Sequence, residues 1–101
     1  RNDVRLAMLD GRLVGFVAAS RASVAQLYVR VGFHRQGIGT TLLAWAMAQS
    51  AGSLWLDTFA RNRVARAFYE QHGFVDVVHG FEPLWQLDDV RYEWTAPIVR
   101  R

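Results

Sequence analysis

The chain has 101 residues, of which 51% are hydrophobic and 13% aromatic, a content that fits one folded domain and excludes a disordered tail. It contains no cysteine, which excludes disulfides, thiol nucleophiles and thiolate metal sites. The formal net charge is +3 and the 12 basic residues, all arginines, are scattered, whereas a nucleic-acid-binding surface usually shows a dense basic stripe.

Composition also bears on partners and compartment. Two small groups of arginines stand out, and they do not predict a nucleic-acid partner: Arg61, Arg63 and Arg66, and Arg100 and Arg101. No apolar run approaches the roughly 20 residues of a membrane-spanning helix, and no signal-peptide pattern opens the chain. We therefore predict a cytoplasmic protein without a membrane partner, in which residues 1–101 form a single domain. The first residue is Arg1 rather than methionine, which fits a fragment or a processed chain.

The first third of the chain predicts three antiparallel strands. Val4–Leu9 and Arg12–Ala19 flank the pair Asp10-Gly11, which is typical of a two-residue type I′ hairpin turn because both turn residues need positive φ. Val24–Val31 is rich in β-branched and aromatic residues, as strands are.

Helices and a strand alternate in the middle of the chain. Ile38–Gln49 has apolar residues at helical spacing, and Gly52 is placed to end that helix. Leu54–Phe59 is short and apolar, as a buried strand is. A second helix is predicted from the favoured N-cap Asn62 to Gly73. Its apolar side is predicted to consist of Val64, Ala65, Phe68 and Tyr69.

Two strands end the predicted fold. Phe74–Val78 and Val90–Trp94 are predicted strands, separated by a loop that includes Gly80–Gln86, and Pro97 ends the last one. The order is β-β-β-α-β-α-β-β, and its central β-α-β unit implies a parallel pair of strands joined by a right-handed crossover. We therefore predict an α/β (layered α+β) domain with a mixed, mostly antiparallel sheet.

The loop before the first helix contains two glycines, Gly37 and Gly39, at a helix start where glycine is a poor helix former. The first amides of a helix have no intrahelical partner, and the helix dipole adds positive charge, so anions bind there. Without side chains, the glycines would let a polyphosphate approach these amides, while Thr40, Thr41 and Arg35 would add hydroxyls and charge. The alternative is that the two glycines simply form a turn. The segment matches neither the Walker loop, G-K-[ST], nor the Rossmann fingerprint, G-x-G-x-x-G.

Two segments resemble the GNAT family of acetyl-CoA-dependent N-acetyltransferases. HRQGIG, His34–Gly39, resembles the [QR]-x-x-G-x-[GA] segment that binds pyrophosphate in that family, with His34 in place of glutamine or arginine. NRVARAFYEQHGF, Asn62–Phe74, is similar to the family's N-x-x-A-x-x-[FL]-Y-x-x-x-G-F helix. The two segments occur in the family's order with a strand between them, and the resemblance extends over Val4–Trp94.

The resemblance implies an acyl-CoA N-acyltransferase-like fold. In that fold the strands matching Ser23–Val31 and Leu54–Phe59 splay apart at one end, and the pantetheine arm of acetyl-CoA lies between them like an added strand. The resemblance also implies that the amides of Arg35–Thr40 hold the pyrophosphate and that the amide of Val29 polarises the thioester carbonyl. The implied cofactor-binding residues are Leu27, Tyr28, Val29, Arg35, Gln36, Gly37, Ile38, Gly39, Thr40 and Asn62.

The resemblance also implies catalytic roles for Tyr69 and Asp57. Tyr69 matches the family's general acid, which protonates the departing thiolate of CoA; the alternative is a core tyrosine on an amphipathic helix. LWLDTFARN resembles a segment of the ribosomal-protein N-terminal acetyltransferases in which a glutamate occupies the position of Asp57, the candidate general base. The alternative is that Asp57 has no catalytic role and lies at the end of the strand, either in solvent or in an ion pair with an arginine such as Arg61 or Arg63. Two weaker candidate bases lie in the late loop, His79 and Glu82.

The function predicted on this basis is transfer of an acetyl group from acetyl-CoA, the co-substrate, to a primary amine by direct attack. Protein N-termini, lysine side chains, polyamines and aminoglycoside-like drugs are all open as acceptors. The family's N-terminal strand and helices, which form a wall of the acceptor pocket, have no counterpart here, so the alternative is a non-catalytic acyl-CoA-binding module. An uncovered edge of the first strand favours a homodimer. His34 and His72 lack metal-ligand spacing, so no metal is predicted.

Overall fold

The structure, a computed structural model, describes residues 1–97. Its elements follow the predicted order. Their bounds are β1 (Asp3–Leu9), β2 (Arg12–Ala19), β3 (Val24–Val29), α1 (Ile38–Gln49), β4 (Ser53–Phe59), α2 (Arg63–Gln71), β5 (Val75–Glu82) and β6 (Leu87–Thr95). The predicted basic pair Arg100 and Arg101 lies outside the described residues. Within the described part of the chain, neither helix has the length and hydrophobicity that crossing a membrane requires.

The chain forms two compact units, and each is described by itself. The first unit ends at Leu54 and contains the sheet β1-β2-β3 and α1; the second begins at Trp55 and contains α2 and nearly all of the sheet β4-β6-β5. The predicted fold class, an α/β fold with mostly antiparallel strands, is confirmed. The strands are divided between two sheets, however, so β3 and β4 do not form the hydrogen-bonded parallel pair expected of a single mixed sheet.

The hairpin between β1 and β2 has the predicted turn. Asp10 has φ of 51° and Gly11 has φ of 76°, and Leu9 pairs with Arg12 across the turn. Positive φ at both central residues is the signature of a type I′ turn, whose twist matches that of the strands that it joins. The local pair Asp10-Gly11 is therefore sufficient to fix this corner of the first unit.

The core of the first unit lies between β2 and α1. Both elements contribute fully buried apolar side chains, namely Val14, Val17 and Ala19 from β2 and Leu42, Leu43 and Ala46 from α1. The central position of β2 in its sheet explains why its residues are more buried than those of the edge strand β1. Burial of these residues holds α1 against the sheet.

Gly15 allows the first turn of α1 to pack directly on β2. A Cβ atom at this position would lie 2.7 Å from the carbonyl oxygen of Tyr28, 3.2 Å from Cγ2 of Ile38 and 3.3 Å from Cδ1 of Leu42. The first of these distances is to main chain, which cannot rotate away as a flexible side chain can. Any larger residue here would therefore push apart β2, β3 and the beginning of α1.

In the second unit, α2 buries a narrower face than the sequence predicts. Tyr69 is its only buried residue within the described chain, Ala65 and Phe68 are half-buried, and Val64 is 77% exposed. The prediction that Val64 belongs to the apolar side was therefore wrong. Val64 precedes Tyr69 by five positions, which places it about 140° around the helix from the one buried side chain.

Strand β5 is longer than predicted. The sequence predicts a strand that ends at Val78 and a loop over Gly80–Gln86, but the ladder with β6 continues as far as the pair Glu82 and Leu87. Gly80 fits within this strand because the space that its Cβ would take lies 2.8 Å from Oδ1 of Asp89 on β6. Pairing with a later strand, which local sequence does not encode, overrides the loop-forming tendency of this segment.

We predict that Gly15→Ala lowers the free energy of unfolding by about 1–3 kcal/mol, because the new methyl group overpacks the contact between β2, β3 and α1. Urea unfolding followed by circular dichroism measures the change. Gly80→Ala is the matched control: its methyl group meets only the flexible end of Asp89, so its expected effect is below about 1 kcal/mol in either direction. Wild-type stability in Gly15→Ala would contradict the close packing described here.

Candidate functional site

The outer edge of β3 presents unpaired backbone groups. The amide of Arg30 donates to the carbonyl of Val14 at 2.8 Å, so Gly15 and Val29 form a non-hydrogen-bonded pair of the antiparallel ladder. The N–H and C=O of Val29 therefore point away from β2, and by the same alternation so do those of Leu27. Since β3 is an edge strand of its sheet, these groups are available to a ligand that adds as a further strand.

His34 forms a hydrogen bond with one of these outward-facing groups, the carbonyl of Val29. Its Nε2 lies 2.9 Å from the carbonyl oxygen of Val29, and since a carbonyl only accepts, the ring proton is on Nε2 and His34 donates. Glutamine and arginine, the family's usual residues at this position, also carry N–H donors. The carbonyl of Val29 is thus satisfied from within the chain, which leaves the Val29 N–H as the outward donor.

Tyr28, between these residues, has its side chain on the opposite face of the sheet from α1. Its ring lies 5.7 Å from that of Phe16, centroid to centroid, and the residue is 46% exposed. Successive side chains of a strand alternate between faces, so Tyr28 cannot share the face on which Gly15 meets α1. Any contact of Tyr28 with a ligand along this edge would therefore be made by its backbone.

The loop before α1 has two residues in the left-handed conformation, Arg35 with φ of 65° and Gly37 with φ of 78°. Gly37 is the N-cap of α1, without a side-chain cap, and a Cβ atom there would meet nothing within 4 Å. Left-handed residues next to right-handed ones turn successive amides toward one point, which forms an anion-binding nest. Among residues 1–97, no acceptor pairs with the amides of Gly37, Ile38 or Gly39. Open amides of this kind fit a diphosphate.

The hydroxyl of Thr41, which was predicted to donate to a bound phosphate, already donates within this loop. Both the hydroxyl and the amide of Thr41 donate to the carbonyl oxygen of Gly37, each at 2.9 Å. Gln36 likewise reaches back, with Nε2 at 3.4 Å from the carbonyl oxygen of Gly32. These bonds act on the loop itself: they fix the carbonyl side of the turn, so that its amide side is the one left open.

In the second unit, Asn62 caps α2 as predicted. Its Oδ1 accepts a hydrogen bond from the amide of Ala65 at 3.2 Å. This bond satisfies one of the orphan amides of the first helical turn. The carbonyl half of the Asn62 side chain is thus used in capping, and only its amino half remains for a ligand.

Tyr69 combines a buried ring with an unbonded hydroxyl. The ring packs against Phe68, Phe74 and Tyr92, with centroid distances of 5.4, 5.7 and 6.3 Å. Within residues 1–97 the hydroxyl makes no hydrogen bond. Since no fully buried side-chain nitrogen or oxygen there lacks a hydrogen-bond partner, the hydroxyl oxygen is accessible to solvent. Burial raises the pKa of Tyr69 to about 12, because the phenolate would be poorly solvated. The hydroxyl therefore keeps its proton at neutral pH, as a proton donor must.

Asp57 is paired with Arg91 rather than with Arg61 or Arg63, the partners considered from the sequence. Arg91 donates through Nε to Oδ1 at 2.9 Å and through a terminal nitrogen to Oδ2 at 3.0 Å. The guanidinium also lies 4.0 Å above the ring of Trp55, and its hydrogen bond to Asp57 raises the pKa of Arg91. Each oxygen of Asp57 thus accepts one hydrogen bond from Arg91.

The two weaker candidate bases are also engaged. Nε2 of His79 lies 3.1 Å from Oδ2 of Asp76, and this hydrogen bond lowers the pKa of Asp76. Oε2 of Glu82 accepts a hydrogen bond from the backbone amide of Trp85, at 3.0 Å, in the turn after β5. Over the described part of the chain, no group of three or more acidic or histidine side chains is placed to hold a metal ion.

The second unit contains a polar cluster that was not predicted from the sequence. The hydroxyl of Tyr92 on β6 donates to Oε2 of Glu70 at 2.5 Å and accepts from Nε of Arg66 at 3.0 Å. Arg66 also donates to the carbonyl oxygen of Ala60 at 3.1 Å. Burial, and then the bond to Glu70, raises the pKa of Tyr92. The i,i+4 spacing of Arg66 and Glu70 is visible in the sequence, but their common partner is not.

We predict that the free energy of unfolding depends on Tyr69 above pH 10. The folded-state pKa, about 12, exceeds the ordinary value of 10.0, so the folded state holds this proton more tightly. This contribution is complete below pH 10 and is lost as the pH rises toward 12, by about 1 kcal/mol at pH 11 and at most about 3 kcal/mol. Urea unfolding from pH 8 to 11.5 of wild type and Tyr69→Phe measures it. Parallel profiles for the two proteins would contradict the burial of this hydroxyl.

Comparison with known proteins places the chain among acetyltransferases. The family model described as an acetyltransferase (GNAT) domain matches residues 2–76. No curated protein is similar enough to count as a match. The fold is similar to that of a Bacillus anthracis str. Ames protein assigned as a streptothricin acetyltransferase and solved with acetyl coenzyme A, with 20% identity and a TM-score of 0.83 over 95% of this chain and 63% of that one.

Two further solved structures show the same likeness. The ribosomal-protein-S18-alanine N-acetyltransferase of Escherichia coli is 19% identical with a TM-score of 0.79, over 100% of this chain and 73% of that one. Nourseothricin acetyltransferase is 25% identical with a TM-score of 0.78, over 87% of this chain and 61% of that one. The chain thus spans less than two thirds of two of these three proteins. Because the family model covers most of the sequence, residues 2–76, the chain belongs to the GNAT acetyltransferase family.

Proposed function

We propose that this chain carries the acetyl-CoA-binding and proton-donating groups of an N-acetyltransferase that acetylates a primary amine by direct attack. The observation that carries the proposal is the open amide nest formed by Arg35, Gly37 and the first turn of α1, directly after the outward-facing edge of β3. Membership of the GNAT family supports reading this nest as the diphosphate site of an acyl-CoA.

On this proposal, backbone groups of the first unit hold acetyl-CoA. The amides of Arg35–Thr40 bind the diphosphate, and the outward groups of Leu27 bind the pantetheine arm as a strand would be bound, while the Val29 N–H is left for the thioester. The family resemblance also assigns Asn62 to the cofactor, for which the amino half of its side chain is free. When bound, acetyl-CoA supplies the reactive thioester.

Two groups of the chain then serve the reaction. The Val29 N–H donates to the carbonyl oxygen on which negative charge develops. As the amine nitrogen forms its bond to the acetyl carbon, the carbon–sulfur bond breaks, and Tyr69 gives its proton to the departing sulfur. The proton that the amine loses goes to water, and water returns a proton to Tyr69, so the products are an amide and CoA. The raised pKa of Tyr69 keeps this donor loaded at neutral pH.

The ion pair with Arg91 argues against Asp57 as the base that deprotonates the amine. Each oxygen of Asp57 accepts a hydrogen bond from the Arg91 guanidinium, and this charge-assisted pair stabilises the unprotonated carboxylate and makes it a weaker base. We infer that Asp57 serves to hold Arg91 over Trp55, and that water deprotonates the amine. The engagement of Asp57, His79 and Glu82 is also the observation that favours the second candidate, a module that binds acyl-CoA without turning it over.

The acceptor is open, and the relatives define a panel to test. Their names point to streptothricin-type compounds and to the alanine N-terminus of a ribosomal protein. The panel therefore contains streptothricin, a peptide with N-terminal alanine, a lysine peptide with a blocked N-terminus, spermidine and an aminoglycoside. The predicted homodimer and cytoplasmic location stay predictions.

We predict that Gly37→Ala weakens acetyl-CoA binding at least tenfold, because a side chain at the residue that begins the amide nest hinders the close approach of a diphosphate to the backbone. Isothermal titration calorimetry with acetyl-CoA measures the affinity. Gly11→Ala is the matched control: its φ of 76° is nearly that of Gly37, 78°, and neither Cβ meets an atom within 4 Å, so both variants carry the same backbone strain, about 1–2 kcal/mol. Equal affinities in the two variants would contradict the proposed diphosphate site.

We predict that Tyr69→Phe lowers kcat about 100-fold while KM for acetyl-CoA stays within about twofold, because only the proton donor is lost. Asp57→Asn is expected to keep kcat within about threefold of wild type, since the ion pair that it weakens is half exposed. Thiol release with the amine panel measures both. Binding of acetyl-CoA by wild type without turnover of any amine would favour the binding module, and a large loss in Asp57→Asn alone would restore Asp57 as the base.

A further inference from the structure

We propose that Tyr92 is a positioning residue: its hydroxyl, held between Arg66 and Glu70, fixes the rotation of α2 and so the place of the Tyr69 hydroxyl. The inference rests on the proposed function, because it assigns Tyr92 a part in proton donation by Tyr69. It goes beyond that function because it concerns a hydroxyl on a different strand, with its own partners.

Arg66 and Glu70 bind Tyr92 rather than each other. They are one helical turn apart, yet no ion pair joins them within residues 1–97; instead Nε of Arg66 and Oε2 of Glu70 both meet the Tyr92 hydroxyl. Their order along α2, cation first and anion last, is also the unfavourable one for a helical pair and for the helix dipole. Local stabilisation of α2 therefore does not account for these two residues, whereas a common partner on β6 does.

The geometry makes Tyr92 a rotational clamp on α2. Its ring is 0% exposed and cannot shift without disturbing the core of the second unit, so its hydroxyl is a fixed point. Two hydrogen bonds from that point reach residues one turn apart on the same side of the helix, and a third bond ties Arg66 to the carbonyl of Ala60. Contacts arranged in this way resist rotation of α2 about its axis.

Tyr69 depends on this clamp because no hydrogen bond within residues 1–97 directs its hydroxyl. The main-chain carbonyl of Tyr69 accepts from the amides of His72 and Phe74, but its side-chain contacts are between rings, which are weakly directional. A helix rotation of about 10° moves a side-chain atom about 6 Å from the axis by about 1 Å. An error of that size in a reacting group can lower a rate about 100-fold.

The decisive variant is Tyr92→Phe, which keeps the ring and removes only the hydroxyl. With an accepting amine of the panel, we expect kcat to fall at least tenfold and KM for acetyl-CoA to stay within twofold. In the Tyr69→Phe background, Tyr92→Phe is expected to change kcat less than twofold, because the group that it positions is already gone. Glu70→Gln keeps an oxygen acceptor for the Tyr92 hydroxyl and should retain wild-type kcat. Glu70→Ala removes that acceptor at an exposed position, and its kcat should fall as that of Tyr92→Phe does.

Val90→Ala is the matched control. Val90 is equally buried on β6 but has no polar partner in the described chain, so its truncation costs stability without freeing Arg66 or Glu70. At a temperature where all variants are folded, it should retain wild-type kcat. The clamp is overturned if Tyr92→Phe keeps wild-type kcat, if its effect adds to that of Tyr69→Phe, or if Val90→Ala is equally impaired.

A readout without turnover separates failure of the clamp from failure of the proposed function. The ring carbon signals of Tyr69 in ¹³C-tyrosine-labelled protein report its surroundings whether or not any amine is acetylated. They are expected to shift in Tyr92→Phe and Glu70→Ala and to stay at wild-type positions in Glu70→Gln and Val90→Ala. Unchanged Tyr69 signals in Tyr92→Phe and Glu70→Ala would overturn the clamp even in a protein that acetylates no amine.

Discussion

The close contact between β2 and the first turn of α1 is the constraint on which the candidate site depends. Gly15 lets the helix begin directly on the sheet, since a Cβ atom would come within 2.7 Å of a main-chain oxygen and within 3.3 Å of the helix side chains. The helix start is then set by Gly37, whose left-handed φ leaves its own amide and those of Ile38 and Gly39 without partners among residues 1–97. Helix propensity is given up at this point, and an anion-binding backbone is gained.

The candidate bases of the chain are engaged in hydrogen bonds, whereas backbone amides and a neutral phenol are open. Asp57 is bound at both oxygens by Arg91, and Glu70 meets the hydroxyl of Tyr92. By contrast, the amides of Gly37, Ile38 and Gly39 and the hydroxyl of Tyr69 have no partners within the described residues. In the proposed mechanism, backbone amides bind acetyl-CoA and stabilise the oxyanion, and the phenol gives its proton to sulfur.

Features that depend on a few neighbouring residues could be predicted from the sequence, and those that depend on distant pairing could not. The order of the elements, the Asp10-Gly11 turn and the Asn62 cap follow local rules and are confirmed. The extension of β5 and the division into two sheets arise from strand pairing that no local pattern encodes. Likewise Asp57 and its partner Arg91 are 34 positions apart, so the sequence could suggest an ion pair but not the right arginine. The site residues came mostly from the family resemblance, and their roles stay predictions.

The most direct test of the central claim is a titration of ¹⁵N-labelled protein with CoA, followed by the backbone amide signals. If the start of α1 grips the diphosphate, the amide signals of Gly37, Ile38 and Gly39 shift most strongly, and 3′,5′-adenosine diphosphate, which lacks the diphosphate bridge and the pantetheine arm, shifts them less. Binding of CoA that moves other signals and leaves these three in place would contradict the account.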